Sequence, residues 1–339
     1  MRKFYHKYSI STIILFSLLL SGCWFVRVGM RNMDDAIFSS PIRVKNKIKD
    51  PIKDSVKLSA LWIGHSSVLI QMDDKVIIVD PVFEDVIGGF MLRKVEAGLN
   101  LEDISKLDLV LISHAHMDHL SLPTLSRIDE RFPHASLVFP KGDEEYLPSY
   151  KMEMVMMRTG NSAERNYVGE TREINGIKVT TVFAKHQGGR YGIDSYSWNV
   201  PGCTGYIVEY HGMTFFFAGD TIYDEEAFKS IGKKFKIDLA LIPIGPCREC
   251  DNTEDNGTTY HVAPYGALKM LDDLKADYMI PVHYGAIRYF NDPDTPVFAL
   301  RDFIQEFGAK SVYGYEEQKP YSEKIKILTE GEQFVFQYK

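Results

Sequence analysis

From residue 58 onward the chain consists of short apolar runs bounded by polar or glycine-containing breaks, a spacing that suits strands better than long amphipathic helices. SVLIQM at 67–72 and KVIIVD at 75–80 read as strands joined by a turn at Asp73-Asp74, and LDLVLIS at 107–113 and SLVF at 136–139 as two more. Between the last two, a short helix is expected to start near Ser121. GIKVTTVFA at 176–184 is β-branched and apolar, and TGYIVEY and MTFFFAGD flank His211-Gly212 as a second hairpin. A helix EEAFKSIGKK follows, then a strand IDLALIPI at 237–244, a helix PYGALKMLDDL at 264–274 and a strand DYMIPVH at 277–283. TPVFALRDFIQEFG at 295–308 predicts a helix ended by Gly308, with Leu300, Ile304 and Phe307 on one apolar face. KIKILT and EQFVFQY predict closing strands. Hairpins alongside strands that precede helices imply an α/β fold with mixed sheets covered by helices, not a parallel doubly wound sheet. No glycine-rich dinucleotide or phosphate-loop spacing occurs.

The N-terminus has a different pattern. Arg2, Lys3 and Lys7 precede a mostly apolar stretch from Ile10 to Leu20, the arrangement of an export signal and about half of what a bilayer-spanning helix requires. LSGC at 20–23 resembles the lipobox of bacterial lipoproteins, which implies cleavage before Cys23 and lipid on that residue. The expected division is therefore a lipoprotein signal peptide at 1–22, a tether and N-terminal extension at 23–57, and one domain at 58–339. The implied location is the cell envelope, on the exported side, with the membrane as partner through Cys23.

Composition narrows the partners. The formal charge is −7, and loss of Arg2, Lys3 and Lys7 with the leader takes it to −10, so net charge gives no reason to expect nucleic acid. Attachment to a membrane would come from lipid rather than charge. Besides Cys23 there are Cys203, Cys247 and Cys250. Cys247-Arg-Glu-Cys250 has no second CxxC to complete a structural zinc site, and an exported chain fits either a local disulfide or free thiols there.

The densest chemistry is LVLISHAHMDHLSLPTL at 109–125, which places His114, His116, Asp118 and His119 directly after an apolar strand. Buried ionisable groups cost several kcal/mol each unless partnered. Imidazole and carboxylate are ligands for Zn, Fe or Mn, and an extended segment turning into a helix near Asp118 would gather these four side chains. His186, Asp220 and His283 each stand just past another expected strand end, the place where a rigid frame can present ligands distant in sequence.

HAHMDH resembles the HxHxDH motif of the metallo-β-lactamase superfamily. His186 in FAKHQGG, Asp220 in FFFAGDT, His283 in MIPVHYG and the segment GHSSVLIQ to VIIVDPVF at 64–83 agree in order. GHSSVLI, AGDTIYDE, DLALIPIGP and YHVAPYGALKML resemble the branch of N-acylphosphatidylethanolamine-hydrolysing phospholipase D and its bacterial relatives, near the UlaG-like lactonases. The resemblance covers roughly residues 58–290. It implies a four-layer αβ/βα sandwich of two mixed β-sheets with helices on the outer faces, and two metals, Zn(2+) in the first instance with Fe or Mn as substitutes. His114, His116 and His186 would hold the first metal, Asp118, His119 and His283 the second, and Asp220 would bridge. Asp80 in VIIVDPVF is implied to orient a metal-binding histidine, and His65 to lie near the site with its role open. His261 is implied to lie over the metals and assist catalysis.

The activity implied is metal-dependent hydrolysis, with a bridging water ionised for attack on a phospholipid-like phosphodiester and Asp118 orienting it. A lactone or other carbonyl substrate of the UlaG-like type is the alternative, and an inactive metal-retaining envelope binding protein a third. Two segments depart from the phospholipase pattern. Gln187-Gly188-Gly189-Arg190 stands where a tryptophan usually follows the histidine, and CRECDNTEDNG at 247–257 is additional. Tyr191, Tyr196 and Trp198 could line an acyl groove or simply pack.

Overall fold

Period-two burial organises the first sheet. Val68, Ile70 and Met72 of one strand join a core that also holds Ile77, Val79, Leu109 and Leu111, while the alternate residues Leu69, Val76, Ile78 and Val110 join a second core on the opposite face. Strands buried on both faces read as unbroken apolar runs, which is why these were visible in the sequence.

The structure is a computed structural model, and it describes residues 32–160, 165–190, 194, 202–252, 260–289, 292–316 and 318–337. The segment 1–22, Cys23 and the aromatic residues Tyr191, Tyr196 and Trp198 lie outside the described residues.

Strands β1 (Leu58–Gly64), β2 (Ser67–Met72), β3 (Lys75–Val79), β6 (Leu109–Leu111), β7 (Ser136–Pro140) and β8 (Glu153–Met157), with the C-terminal β15 (Gln333–Phe336), form a seven-stranded sheet in the order β15-β1-β2-β3-β6-β7-β8. The first four are antiparallel neighbours, and β3, β6, β7 and β8 run parallel. The second sheet has the order β14-β13-β12-β11-β10-β9, with β9 (Val168–Ile174), β10 (Ile177–Val182), β11 (Gly205–Tyr210), β12 (Met213–Phe217), β13 (Leu239–Pro243) and β14 (Tyr278–Val282). It is also mixed, antiparallel from β9 to β12 and parallel from β12 to β14. A small hairpin of β4 (Val86–Ile87) and β5 (Met91–Leu92) stands apart.

Helix α1 (Leu122–Arg131), capped by Ser121, puts Leu125 and Ile128 into the core outside the first sheet. Helices α2 (Glu225–Lys234), α3 (Pro264–Leu274) and α4 (Thr295–Phe307) cover the second, with α3 on β13. At Gly232 of α2 an added Cβ would lie 2.3 Å from the Asp273 carbonyl oxygen, so glycine permits this close approach to α3. The expected four-layer α/β sandwich of two mixed sheets is thus the observed architecture.

Several strands differ from expectation. KIKILT forms no strand: a helical turn α5 (Tyr321–Lys324) follows Pro320, and only Ile325 bridges to Met279 before the chain moves on to β15. The β6 ladder is shorter than 107–113, because the Asp108 carboxylate takes the Val76 amide and Ser113 N donates to Asp80 Oδ1 instead of a neighbouring strand. The edge strands β8 and β9 were not foreseen. VGETREI carries too few apolar residues to show a pattern, and its partner β10 supplies the register.

The described part of the N-terminal extension lies on the domain, with Ile42 bridging to Val95, Val44 N donating to Glu96, and Lys53 N and O bonded to the Gln71 amide. Among the described residues no helix is long and apolar enough to cross a membrane. At one end of the sandwich the hairpin turns of the two sheets meet, His211 Nδ1 lying 2.8 Å from Asp73 Oδ2 and the Tyr210 hydroxyl donating to Asp74 at 2.6 Å. The other end carries the chemistry.

Candidate metal centre

Four strand ends on that edge deliver the ligand-type side chains. His114 to His119 follow β6, His186 follows β10, Asp220 follows β12 and His283 follows β14. Cross-sheet bonds hold the edge together: the buried Tyr206 hydroxyl donates to the Ile112 carbonyl at 2.7 Å, and Thr204 N donates to Ser113 O at 3.0 Å. Gly219, at φ 60, passes so close that an added Cβ would lie 2.6 Å from Ser113 Cβ. Asp220 thereby arrives directly beside the histidine loop.

Three non-glycine residues of the site, His65, Asp80 and His283, have positive φ of 55, 38 and 61. Such backbone costs about 1–3 kcal/mol per residue and persists only where its surroundings fix it. Here the His65 carbonyl accepts from Trp62 Nε1 and from His283 N, both at 3.0 Å, and Ser67 Oγ donates to Asp80 O at 2.6 Å.

Two groups of donors result. In the first, His114 Nε2 and His186 Nε2 lie 2.9 and 3.1 Å from His116 Nδ1. The second comprises Asp118, His119 and His283, with Asp118 Oδ2 3.7 Å from both His119 Nε2 and His283 Nε2. Asp220 Oδ2 joins them, at 3.0 Å from His283 Nε2, 3.3 Å from His119 Nε2, 3.8 Å from His186 Nε2 and 3.9 Å from His114 Nε2. His261 Nε2 reaches the same oxygen at 3.3 Å. Every residue expected at the site is therefore within this cluster.

The hydrogen bonds decide which atoms face inward. His186 Nδ1 is 2.9 Å from the Tyr260 carbonyl, which can only accept, so Nδ1 carries the hydrogen and Nε2 presents a lone pair. Ser113 Oγ gives its hydrogen to Asp80 Oδ2 at 2.6 Å and so accepts from His114 Nδ1, leaving the His114 Nε2 lone pair inward. One hydrogen on His116 could satisfy only one of these two nitrogens. His119 Nδ1 donates to Asp80 Oδ2 at 2.6 Å, which turns another bare nitrogen toward the Asp220 carboxylate. His119 Nε2, His283 Nε2 and Asp220 Oδ1 are buried without any hydrogen bond. Lone pairs facing lone pairs in a buried pocket are repulsive unless a cation sits among them. The donor set fits two divalent cations, and Asp80 occupies the expected place behind one ligand and, through Ser113, a second.

Electrostatics agree. Burial, reinforced by neighbouring imidazoles, pushes His114 and His186 well below the ordinary histidine range, and burial takes His116 to about 4. Burial opposes charge on His119 and His283 too, yet Asp220 and its carboxylate neighbours raise His119 well above normal and His283 to about 9. Asp118 and Asp220 stay ionised against their burial, held far down chiefly by His119.

Arg190 and Tyr289 carried no signal in the sequence, whereas His65 was expected near the site with its role open and a Cys247–Cys250 disulfide was one of two alternatives. Arg190 Nη1 donates to Ala115 O at 2.7 Å and Leu120 O at 2.8 Å, stapling both ends of the ligand loop. It belongs to the segment that departs from the phospholipase pattern. Tyr289 donates to Asp118 Oδ2 at 2.6 Å from 171 residues away, and His65 Nε2 lies 2.9 Å from the same oxygen. Cys247 and Cys250 form a disulfide, and Pro246 and Cys247 border a cleft lined by His65, His283 and Tyr289.

Residues 75–284 match the model of the Beta-lactamase superfamily domain, and the chain belongs to that superfamily. It is similar to the N-acyl-phosphatidylethanolamine-hydrolyzing phospholipase D 1 of Caenorhabditis elegans, 27% identical over 283 residues that cover 79% of this chain and 77% of the relative. It is likewise similar to a UPF0173 metal-dependent hydrolase of Sulfurisphaera tokodaii, 30% identical over 249 residues, 72% of this chain and 89% of the relative. In fold it resembles the isothiocyanate hydrolase from Delia radicum gut bacteria, with a TM-score of 0.58 at 18% identity over 83% of this chain and all of the other. The protein is a metal-dependent hydrolase of the metallo-β-lactamase fold with a candidate His/Asp metal site.

Proposed function

We infer that this superfamily hydrolase is a two-zinc phosphodiesterase acting on a phospholipid-like substrate, held at the membrane by lipid on Cys23. The observation that carries the reading is the placement of His261. It stands over the shared carboxylate Asp220, Nε2 to Oδ2 3.3 Å, with its side chain 22% exposed, while the ligand-type histidines His114, His119, His186 and His283 are buried to within a few per cent. Resemblance to a phospholipase D that hydrolyses N-acyl-phosphatidylethanolamine supports a phosphodiester over a carbonyl substrate.

Bound by the two donor groups, the cations would lower the pKa of a water toward neutrality and take up charge developing on substrate oxygens. The chain's own residues do the positioning. Asp118, buried beside His119 and His283, would accept a hydrogen bond from the attacking water and aim its oxygen at phosphorus. His261, on the solvent side of Asp220, is placed to give a proton to the departing alcohol oxygen. Asp80, through His119 and Ser113, keeps two ligand rings in the tautomer that points a lone pair inward.

Replacing His261 with alanine is expected to lower kcat by about a hundredfold or more while leaving metal content unchanged, because the residue moves a proton and holds no metal in this reading. Metal analysis beside steady-state kinetics checks both parts. Cys23→Ser is expected to move the protein from the membrane fraction to the soluble fraction of the cell, read by fractionation and blotting. Substrate class is tested by presenting metal-replete protein with bis-p-nitrophenyl phosphate, an N-acylated phosphatidylethanolamine in micelles, and a lactone, with and without chelator. Chelator-sensitive cleavage of the diesters supports the reading, and cleavage of the lactone alone would replace it with a carbonyl hydrolase.

A further inference from the structure

Asp118 is buried, 8% exposed, but it stands next to the half-exposed Met117 on the loop and follows no strand directly. With no strand ladder fixing its backbone, its carboxylate depends on hydrogen bonds to stay between His119 and His283. Two donors from opposite sides of the sandwich do so. His65, in the turn between β1 and β2, places Nε2 2.9 Å from Asp118 Oδ2, and Tyr289, in the segment after β14, donates its hydroxyl to the same oxygen at 2.6 Å. His65 is 1% exposed. Its Nδ1 has no hydrogen-bond partner, so the single ring hydrogen of the neutral form belongs on Nε2, facing the carboxylate. The Tyr289 ring lies nearly parallel to that of His283, 13° between planes with centroids 6.3 Å apart. The His65 carbonyl in turn receives the His283 amide. His65 is therefore tied to His283 through its backbone as well as to Asp118, and Tyr289 lies alongside the His283 ring.

We propose that His65 and Tyr289 are positioning residues that clamp Asp118 Oδ2 from the two sheets and so set the affinity of the second metal position. The clamp rests on the two-metal reading and adds to it an ordering of residues that hold no metal themselves. It predicts a selective effect. The first group, His114, His116 and His186, is oriented by Ser113, Asp80 and Tyr260, none of which touches the clamp. Losing a clamp donor should weaken one metal position and spare the other.

The test is metal binding by the full-length mature protein, stripped and titrated with cobalt, following the visible spectrum and chelator competition at each site. Tyr289→Phe removes only the hydroxyl. His65→Asn keeps a residue that tolerates positive φ while its shorter amide falls short of the Nε2 position, whereas His65→Gln can place an amide N–H there. In Tyr289→Phe and His65→Asn the weaker cobalt dissociation constant is expected to rise about 10–100-fold with the tighter one unchanged. His65→Gln should recover most of the loss, and excess metal should restore hydrolysis in Tyr289→Phe. Two cobalt ions bound with wild-type affinities and spectra in both variants would overturn the clamp and leave the two-metal reading standing. A wild-type protein that takes up one ion only would remove the two-metal reading and the clamp together.

Discussion

Asp220→Ala is expected to cut kcat/KM at least about a thousandfold, equivalent to about 4 kcal/mol of transition-state stabilisation, and to leave the protein unable to hold two metals at once. One oxygen of this carboxylate lies 3.0 to 3.9 Å from the Nε2 atoms of His283, His119, His261, His186 and His114, which come from four separate segments. No neighbouring side chain can replace it. Asp118 Oδ2 is turned to the second group and already takes two hydrogen bonds. Removing the Asp220 charge also removes the largest of the attractions that raise His119 and His283, leaving Asp118, and for His119 also Asp80, to act on them. The variant should therefore fold, retain at most one metal, and lose hydrolysis. Metal analysis and kinetics on the same preparation test this, and two tightly held metals in Asp220→Ala would contradict the bridging role.

Asp80 is expected to separate stability from metal binding. Its carboxylate is fully buried and accepts from Ser113 N at 2.7 Å, Ser113 Oγ at 2.6 Å and His119 Nδ1 at 2.6 Å. In Asp80→Ala those donors are stranded in the core, a loss of about 3–5 kcal/mol of folding stability by comparison with other broken buried networks. Asp80→Asn keeps the volume and one acceptor oxygen. Its amide hydrogens, however, face His119 Nδ1 and Ser113 Oγ, so His119 moves its hydrogen to Nε2 and points a donor where a metal would bind. Asp80→Asn should unfold in denaturant nearer to wild type than Asp80→Ala does, with metal affinity and activity down by about 10–100-fold. Equal denaturant midpoints for the two variants would contradict this division.

The two sheets and the main helices were legible because their strands are buried on both faces, so apolar runs such as KVIIV and LALIP declare themselves without alternation. Where burial is one-sided or partnership does the work, the pattern fails. The polar edge strand VGETREI was invisible, and KIKILT, with the composition of a strand, became a turn and a single bridge. The ligand-type residues were legible because each follows a strand and His114 to His119 lie together. Of their supporting contacts Asp80 was expected, and His65 with its role open, but the others were not: nothing near Tyr289 in the chain points to Asp118, and Arg190 sits in a segment that looked only like a departure from a pattern. Ser113 was missed for a different reason. A serine beside a histidine is common, and only the hydrogen bonds of its hydroxyl to Asp80 Oδ2 and His114 Nδ1 show that it relays one carboxylate to a ligand-type ring.

The most direct measurement is anomalous diffraction from crystals of the protein grown with zinc, with data at the zinc edge. Two peaks about 3.5–4 Å apart are expected, one bounded by His114, His116 and His186, the other by Asp118, His119 and His283, with Asp220 reaching both. A single peak, or zinc bound away from Asp220, would contradict the account.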